Sequence, residues 1–348
     1  MARGDSPTEF LYGLPFFDDE RLDVSYVEDA HPLDGPVERA LRPLQQFVGR
    51  RYLVGFNLHA YWRNRHELSR ADAIVTTTDS YGLPILWRAH SGALSSRVVY
   101  ISQGLHELVK RAARSGVDER VRRVVGSWLR AAAVIVVFGD GDAAFMRDAF
   151  GREGPLPLRT IQFGVDEAFW TPTNLPADGP MLAVGSDFLR DWPTLLRATG
   201  DRPLRLVTRL PVGSALRGAR TVVDGEVDDT QLRELYRRAR FVVMPVVETR
   251  RDAGHSATLQ AMACGKAVIL SRTKGMWDPR HMVDGDTCLL VRPGDAAALR
   301  RAIDRLESDP DEAARIGRRA RALVERAYTA KSFGLAIQAA VRDALALT

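Results

Sequence analysis

The sequence predicts an α/β protein made of two successive, mostly parallel sheet units. Three observations support this. In the first half, strand-sized apolar runs alternate with segments of helical period, the pattern of a parallel sheet covered on both faces. A proline- and glycine-rich stretch without apolar period follows, Thr171-Pro172-Thr173-Asn174-Leu175-Pro176-Ala177-Asp178-Gly179-Pro180, and reads as a linker. The alternation then restarts and includes the most informative stretch of the chain, Asp252 to Gly275, which reads as loop, helix, strand and loop.

In the first unit, strands are expected at Asp23–Val27, Ala73–Thr77, Val98–Ile101, Ala133–Phe138 and Leu158–Ile161, where β-branched residues cluster. Helices fit between them at Val37–Phe47, Leu53–Leu68, Leu86–Ala93, Leu105–Arg114, Val121–Ala131 and Ala143–Phe150. After the linker come a strand Met181–Val184, a helix Trp192–Thr199, strands Leu204–Thr208 and Thr221–Val223, a helix Asp229–Arg238 and a strand Phe241–Pro245. In the Asp252–Gly275 stretch, Asp252-Ala253-Gly254 is turn chemistry. Ser256 is expected to cap a short helix ending near Gly265, and Lys266–Ser271 is expected as a buried strand. A strand Thr287–Val291 and helices from Ala296, Glu312 and Ser332 complete the chain. A glycine-bearing loop that opens a helix is an anion site, because the first helical N–H groups lack partners and the dipole favours negative charge.

At 348 residues the chain can hold two full cores. Its 45% hydrophobic and 27% charged content excludes a disordered chain. The longest apolar run, Ala131 to Phe138, is strand-sized, far from the ~20 residues that span a bilayer. Met1 to Phe10 is polar and charged, unlike a signal peptide. Cys264 and Cys288 are too few for a disulfide framework, so a cytoplasmic location is expected. The net charge of +5 suits an anionic ligand. Arg111, Arg114, Arg120, Arg122, Arg123 and Arg130 fall on two consecutive helical segments; a solvated face is the ordinary reading, and weak contact with the inner face of a membrane the alternative. Aromatic–basic interleaving of a nucleic-acid binder is not evident. Zinc spacings, a Walker loop and a Gly-x-Ser-x-Gly elbow are absent.

Asp252, seven residues, Gln260, then Ala261-Met262-Ala263-Cys264-Gly265-Lys266-Ala267-Val268-Ile269 resembles the signature of retaining GT-B glycosyltransferases of the group 1 type, family 4-like. That signature carries two glutamates where this chain has Asp252 and Gln260. Gly164-Val165-Asp166-Glu167-Ala168-Phe169-Trp170-Thr171-Pro172 is similar to the family's hinge. Leu182-Ala183-Val184-Gly185 with Arg190-Asp191-Trp192-Pro193 resembles the start of its donor domain. The start of the chain is shorter than the family's, so an acceptor loop is expected to be short or missing. The resemblance implies two Rossmann-like domains facing each other across a cleft, with a C-terminal helix crossing back. The expected boundaries are residues 1–163 for the acceptor-side domain, 164–330 for the nucleotide-sugar domain and 331–348 for the returning helix.

The resemblance also implies a set of site residues. Arg190 and Arg209 would grip a diphosphate bidentately and neutralise the leaving group. Gly185 and Ser186 would lie beside it, with Gly254, His255, Ser256 and Ala257 offering helix-start N–H groups. Glu226 completes the donor-side set. Asp252 would hold sugar hydroxyls or stabilise an oxocarbenium ion, with Glu248 as its rival. Gln260 would face the ribose, its amide accepting on one side and donating on the other. Gln103, where the family often has histidine, would reach the donor sugar; Gly104 follows it. Asp79 and Ser80, read as the end of a strand, would orient the acceptor, while His106 is read as structural. Asp140-Gly141-Asp142 spells a metal-binding pair of another glycosyltransferase fold, but Asp142 is better read as a helix cap. The implied activity is metal-independent transfer of a hexosyl-type group, with retention, from a nucleoside diphosphate sugar to a glycan, lipid or small natural product. No cofactor beyond that co-substrate is expected. A non-catalytic GT-B partner or scaffold and a GT-B nucleotide-sugar epimerase stay open as alternatives.

Overall fold

The computed structural model describes residues 6–346, apart from 19, 28–34, 53–54, 175 and 214–217. They fall into two compact units. The C-terminal unit draws on residues within 1–16, 139–141 and 162–335, and the N-terminal unit on those within 17–138, 142–161 and 336–348.

The N-terminal unit is built on strands β1 (Ala73–Thr77), β2 (Arg97–Ile101), β3 (Val134–Val137) and β4 (Leu158–Thr160), parallel and in sequential order. β3 is Val-Ile-Val-Val, buried throughout, as a central parallel strand must be. Helices Asp79–His90, Leu105–Arg114, Asp118–Leu129 and Asp140–Phe150 join the strands. Helix Leu105–Arg114 buries Leu105, Leu108, Val109 and Ala112, the i, i+3, i+4, i+7 stripe, and leaves Lys110, Arg111 and Arg114 exposed.

The C-terminal unit contains β5 (Met181–Val184), β6 (Leu204–Val207), β7 (Thr221–Asp224), β8 (Val242–Met244), β9 (Val268–Ser271) and β10 (Leu289–Val291). All pair parallel in the order β7-β6-β5-β8-β9-β10. The chain starts at the centre, winds out to β7, then returns to lay β8 on the other side of β5. This creates a topological switch point between the carboxyl ends of β5 and β8, where ligands bind in such sheets. Local signals start its helices: Asp191 accepts from Thr194 N at Trp192–Thr199, and Asp228 with Gln231 forms a reciprocal capping box at Asp229–Arg238.

Several expected boundaries differ. Asp23–Val27 is not a strand; Val24, Tyr26 and Val27 are exposed, with no covering layer to reward pairing. Of the helix expected over Leu53–Leu68, residues 53–54 lie outside the described residues, 55–57 are not helical, and two helices follow, Leu58–Arg63 and Arg65–Leu68, separated at Asn64, whose side chain donates to the Ala60 carbonyl (2.9 Å). The helix expected from Leu86 starts at Asp79, so Asp79 and Ser80 open a helix rather than end a strand. Pro84 is tolerated inside it because the Ser80 carbonyl, which its missing N–H would have served, accepts from Asn57 N (2.9 Å). The helix expected from Ala143 begins at Asp140, which places Asp142 inside its first turn rather than at the cap. Helix His255–Ala263 is capped by Gly254, not Ser256.

Candidate functional site

The switch point is shaped around one arginine. β5 runs into Gly185, whose φ of +144° side-chain-bearing residues rarely adopt. A Cβ there would stand 2.1 Å from Arg190 Nε, so the missing side chain lets the guanidinium lie against the backbone. The loop is pinned by Arg190 N donating to the Asp187 carbonyl (3.0 Å) and by an antiparallel bridge between Arg190 and Val246, just past β8. Arg190 is thereby drawn inside and is only 8% exposed. Its Nη1 donates to Met244 Sδ at 3.6 Å, a weak acceptor, and among the described residues its Nε has no hydrogen-bond partner. Burial lowers its pKa, opposed by Asp187. A buried guanidinium so satisfied keeps donor capacity that an anion can use.

Helix His255–Ala263 aims its N-terminus at the same place. Gly254 caps it in the left-handed region (φ +76°), and a Cβ there would meet Arg190 Nη1 at 2.9 Å. The first turn carries His255, Ser256 and Ala257, whose N–H groups precede the first intrahelical bond, Thr258 N to the Gly254 carbonyl (3.0 Å). His255 lies edge-on to Phe163, with ring centroids 5.2 Å apart. Burial, then Arg190 and Arg251, push its pKa down to about 4, opposed by Asp187. Arg251 Nη2 also pairs with Asp187 (3.0 Å).

The remaining expected donor residues divide. Asp252 is 6% exposed, with its carboxylate against Gly139, where a Cβ would meet both oxygens at 2.7 Å. Its rival Glu248 is exposed and accepts from Lys274 N (2.9 Å). Ser186 Oγ accepts from Arg209 N (2.9 Å). The Arg209 side chain, in contrast, is 68% exposed and stands 3.7 Å from Glu226, itself 80% exposed. Glu226 lines a hollow of about 410 Å³ with Ser6, Asp228 and Asp229. Gln260 lies deeper: its Nε2 donates to Glu9 (3.0 Å), and its Oε1 is 3.5 Å from the Tyr236 hydroxyl. A larger hollow of about 580 Å³ sits at the amino ends of β6 and β7. Three of its arginines are engaged there: Arg202 and Arg240 pair with Glu307, and Arg300 donates to the Arg197 carbonyl.

The N-terminal unit gathers its own candidates at the carboxyl ends of β1 and β2. Thr78 has φ +61° and ψ +148°, a strained backbone for a β-branched residue, and its buried Oγ1 has no hydrogen-bond partner among the described residues. Asp79 accepts from the Tyr100 hydroxyl (2.5 Å) and Gln103 N (3.1 Å), and Gly104 lies close enough that a Cβ would meet the carboxylate at 2.9 Å. Ser80 follows at the helix start, and its carbonyl holds Asn57 N. His106 stacks on Phe145 and lies 3.9 Å from Asp142. Among the described residues no group of three or more His, Cys, Asp or Glu side chains could hold a metal ion.

Sequence reasoning missed Arg251, Asp187, Glu9 and Thr78. Arg251 adjoins Asp252 and was within reach; Glu9 is linked to Gln260 across 251 positions and had no local signal.

Residues 186–309 match the family model of Glycosyl transferases group 1. Sucrose-phosphate synthase from Thermosynechococcus elongatus superposes with a TM-score of 0.70 at 23% identity, over 92% of this chain and 83% of its own. HepE of Anabaena, solved in complex with UDP-glucose, superposes at 0.64 with 16% identity, over 88% of each chain. OtsA superposes at 0.65 with 10% identity, over 86% of this chain and 78% of its own. No curated protein matches by sequence. The architecture, with its two parallel sheets, is GT-B.

Proposed function

We propose that the protein is a GT-B glycosyltransferase. Its C-terminal unit binds a nucleoside diphosphate sugar, and a hexosyl-type group passes, with retention, to an acceptor hydroxyl. The observation that carries this reading is Arg190: a buried, incompletely satisfied guanidinium lying between Gly185 and the N-terminus of helix His255–Ala263. The family match over 186–309 covers Arg190 and helix His255–Ala263 and begins one residue after Gly185, and HepE, of like fold, holds UDP-glucose.

As the bond between sugar and diphosphate breaks, negative charge grows on the leaving phosphate. Arg190 and the first-turn N–H groups of His255, Ser256 and Ala257 stabilise that charge. The reading asks for no metal, since these groups meet the charge. The departing phosphate takes the acceptor proton, so no strong enzymic base is needed. Neutral His255 and the Asp252 carboxylate hold sugar hydroxyls. Asp79, Ser80, Gln103 and Gly104 form the acceptor-side set. Among the described residues no helix is long and apolar enough to cross a membrane.

The test is Arg190→Ala with the fold checked by circular dichroism. Turnover of nucleotide sugar should fall by about 10²–10³-fold, the loss typical of one charge-stabilising donor. Unchanged turnover would remove Arg190 from the chemistry.

A further inference from the structure

We infer that Glu9, delivered by the N-terminal segment of the chain, is a positioning residue of the nucleotide-sugar site, acting through a buried carboxylate–amide pair with Gln260. The inference rests on the donor-site reading above and deepens it.

Glu9 lies in the short 3-10 turn Glu9–Leu11 and is 0% exposed. A carboxylate is stable there only if its oxygens are met by donors. Three meet them, from separate parts of the C-terminal unit: Gln260 Nε2 (3.0 Å), Trp170 Nε1 (2.7 Å) and Asp166 N (3.1 Å). The turn is also fastened on both sides. Thr8 donates through N (3.1 Å) and Oγ1 (2.8 Å) to Asp166, and Gly13 packs so closely on Gly334 that a Cβ would stand 2.2 Å from the Gly334 Cα.

This buried pair reaches the helix that faces the phosphate. With its Nε2 committed to Glu9, Gln260 presents Oε1 toward the Tyr236 hydroxyl (3.5 Å), and that hydroxyl donates to the carbonyl of Ala257 (3.2 Å), in the first turn. A second path runs through Phe10, whose ring is 6.5 Å from Phe163, the ring that holds His255 edge-on. Burial raises the Glu9 pKa, opposed by the hydrogen bonds from Gln260, Asp166 and Trp170, and with Glu9 ionised the pair carries one negative charge. A second carboxylate at position 260 would face Glu9 at hydrogen-bond distance and repel it, which accounts for glutamine at this place in the chain. Exchanging the two residues moves the charge and removes the repulsion, but not without loss: Gln260 Nε2 and Trp170 Nε1 both donate to Glu9 Oε1 and Asp166 N donates to Oε2, so an amide at position 9 that turns its nitrogen toward a carboxylate at position 260 leaves Trp170 Nε1 without that acceptor.

The experiment is calorimetric titration of wild type, Glu9→Gln, Gln260→Glu and the exchanged double variant Glu9→Gln/Gln260→Glu with UDP-, GDP-, ADP- and dTDP-glucose, the fold of each protein checked by circular dichroism and melting temperature. For the donor that wild type binds best, Gln260→Glu should weaken binding about tenfold or more, Glu9→Gln by about threefold, and the exchange, which relieves the repulsion but loses one hydrogen bond, should recover at least about threefold of the affinity that Gln260→Glu loses. If Gln260→Glu does not fold, recovery of fold and binding together in the double variant carries the same conclusion. Wild-type affinity in Gln260→Glu, or a double variant as weak as it, overturns the pairing while leaving the donor site intact. A wild type that binds none of the four sugars overturns both.

Discussion

Arg190 and His255 act on one another, and the effect is measurable. His255 is held near pKa 4 by burial and by Arg190 and Arg251, against an ordinary value of 6.5. Because the folded-state pKa is depressed, the unfolded chain binds the extra proton between those values. Stability contributed by neutral His255 is therefore present above pH 6.5 and is lost as pH falls toward about 4. The slope approaches about 1.4 kcal/mol per pH unit for one proton. In Arg190→Ala one of the cations that depress it is gone, so the His255 pKa should rise, and an NMR titration of its ring protons would show it. An unmoved pKa would mean that Arg190 does not set the potential at this helix end. Arg190 itself was legible in the sequence, because a short loop after a strand end places it at the switch point. Arg209 was read by the same logic, and its side chain is 68% exposed, 3.7 Å from Glu226.

At the scale of elements, helix His255–Ala263 depends on how it is started and how it is tied at its end. Gly254→Ala forces a left-handed alanine, which costs about 1–2 kcal/mol, and its Cβ would displace Arg190 Nη1. Urea unfolding should show that loss, and nucleotide-sugar affinity should fall further than the stability change alone explains. The other end is tied by Arg321, whose Nη1 donates to the carbonyls of Glu167 (2.9 Å), Trp170 (2.9 Å) and Ala263 (2.8 Å). Removing that charged donor leaves three carbonyls without it, so Arg321→Ala should lose about 2–4 kcal/mol on denaturant unfolding. A loss under about 0.5 kcal/mol would show that water replaces the guanidinium readily. Element types were readable from periodicity, but several starts were not. The helix at Asp79 opens early because Asn57 takes the carbonyl that Pro84 cannot serve, a contact no local pattern announces.

At the scale of the molecule, the two parallel units followed from the alternation of strands and helices, and the β5–β8 switch point followed from the winding order. What stayed hidden were contacts between distant parts of the chain. Glu9 meets partners at positions 166, 170 and 260, and its burial could not be foreseen from a polar N-terminal stretch. Binding to the folded state should raise apparent stability, by about 2.7 kcal/mol at a hundred times the dissociation constant. A thermal-shift panel of UDP, GDP, ADP and dTDP sugars should therefore single out the donor by its shift. The central claim, that Arg190 at the switch point is the anchor of a nucleotide-sugar site, is tested most directly by titrating that donor calorimetrically into wild type and Arg190→Ala. The account predicts saturable binding by wild type, displaced by the matching nucleoside diphosphate and weakened about 100-fold in the variant. Equal affinity in the two proteins would contradict it.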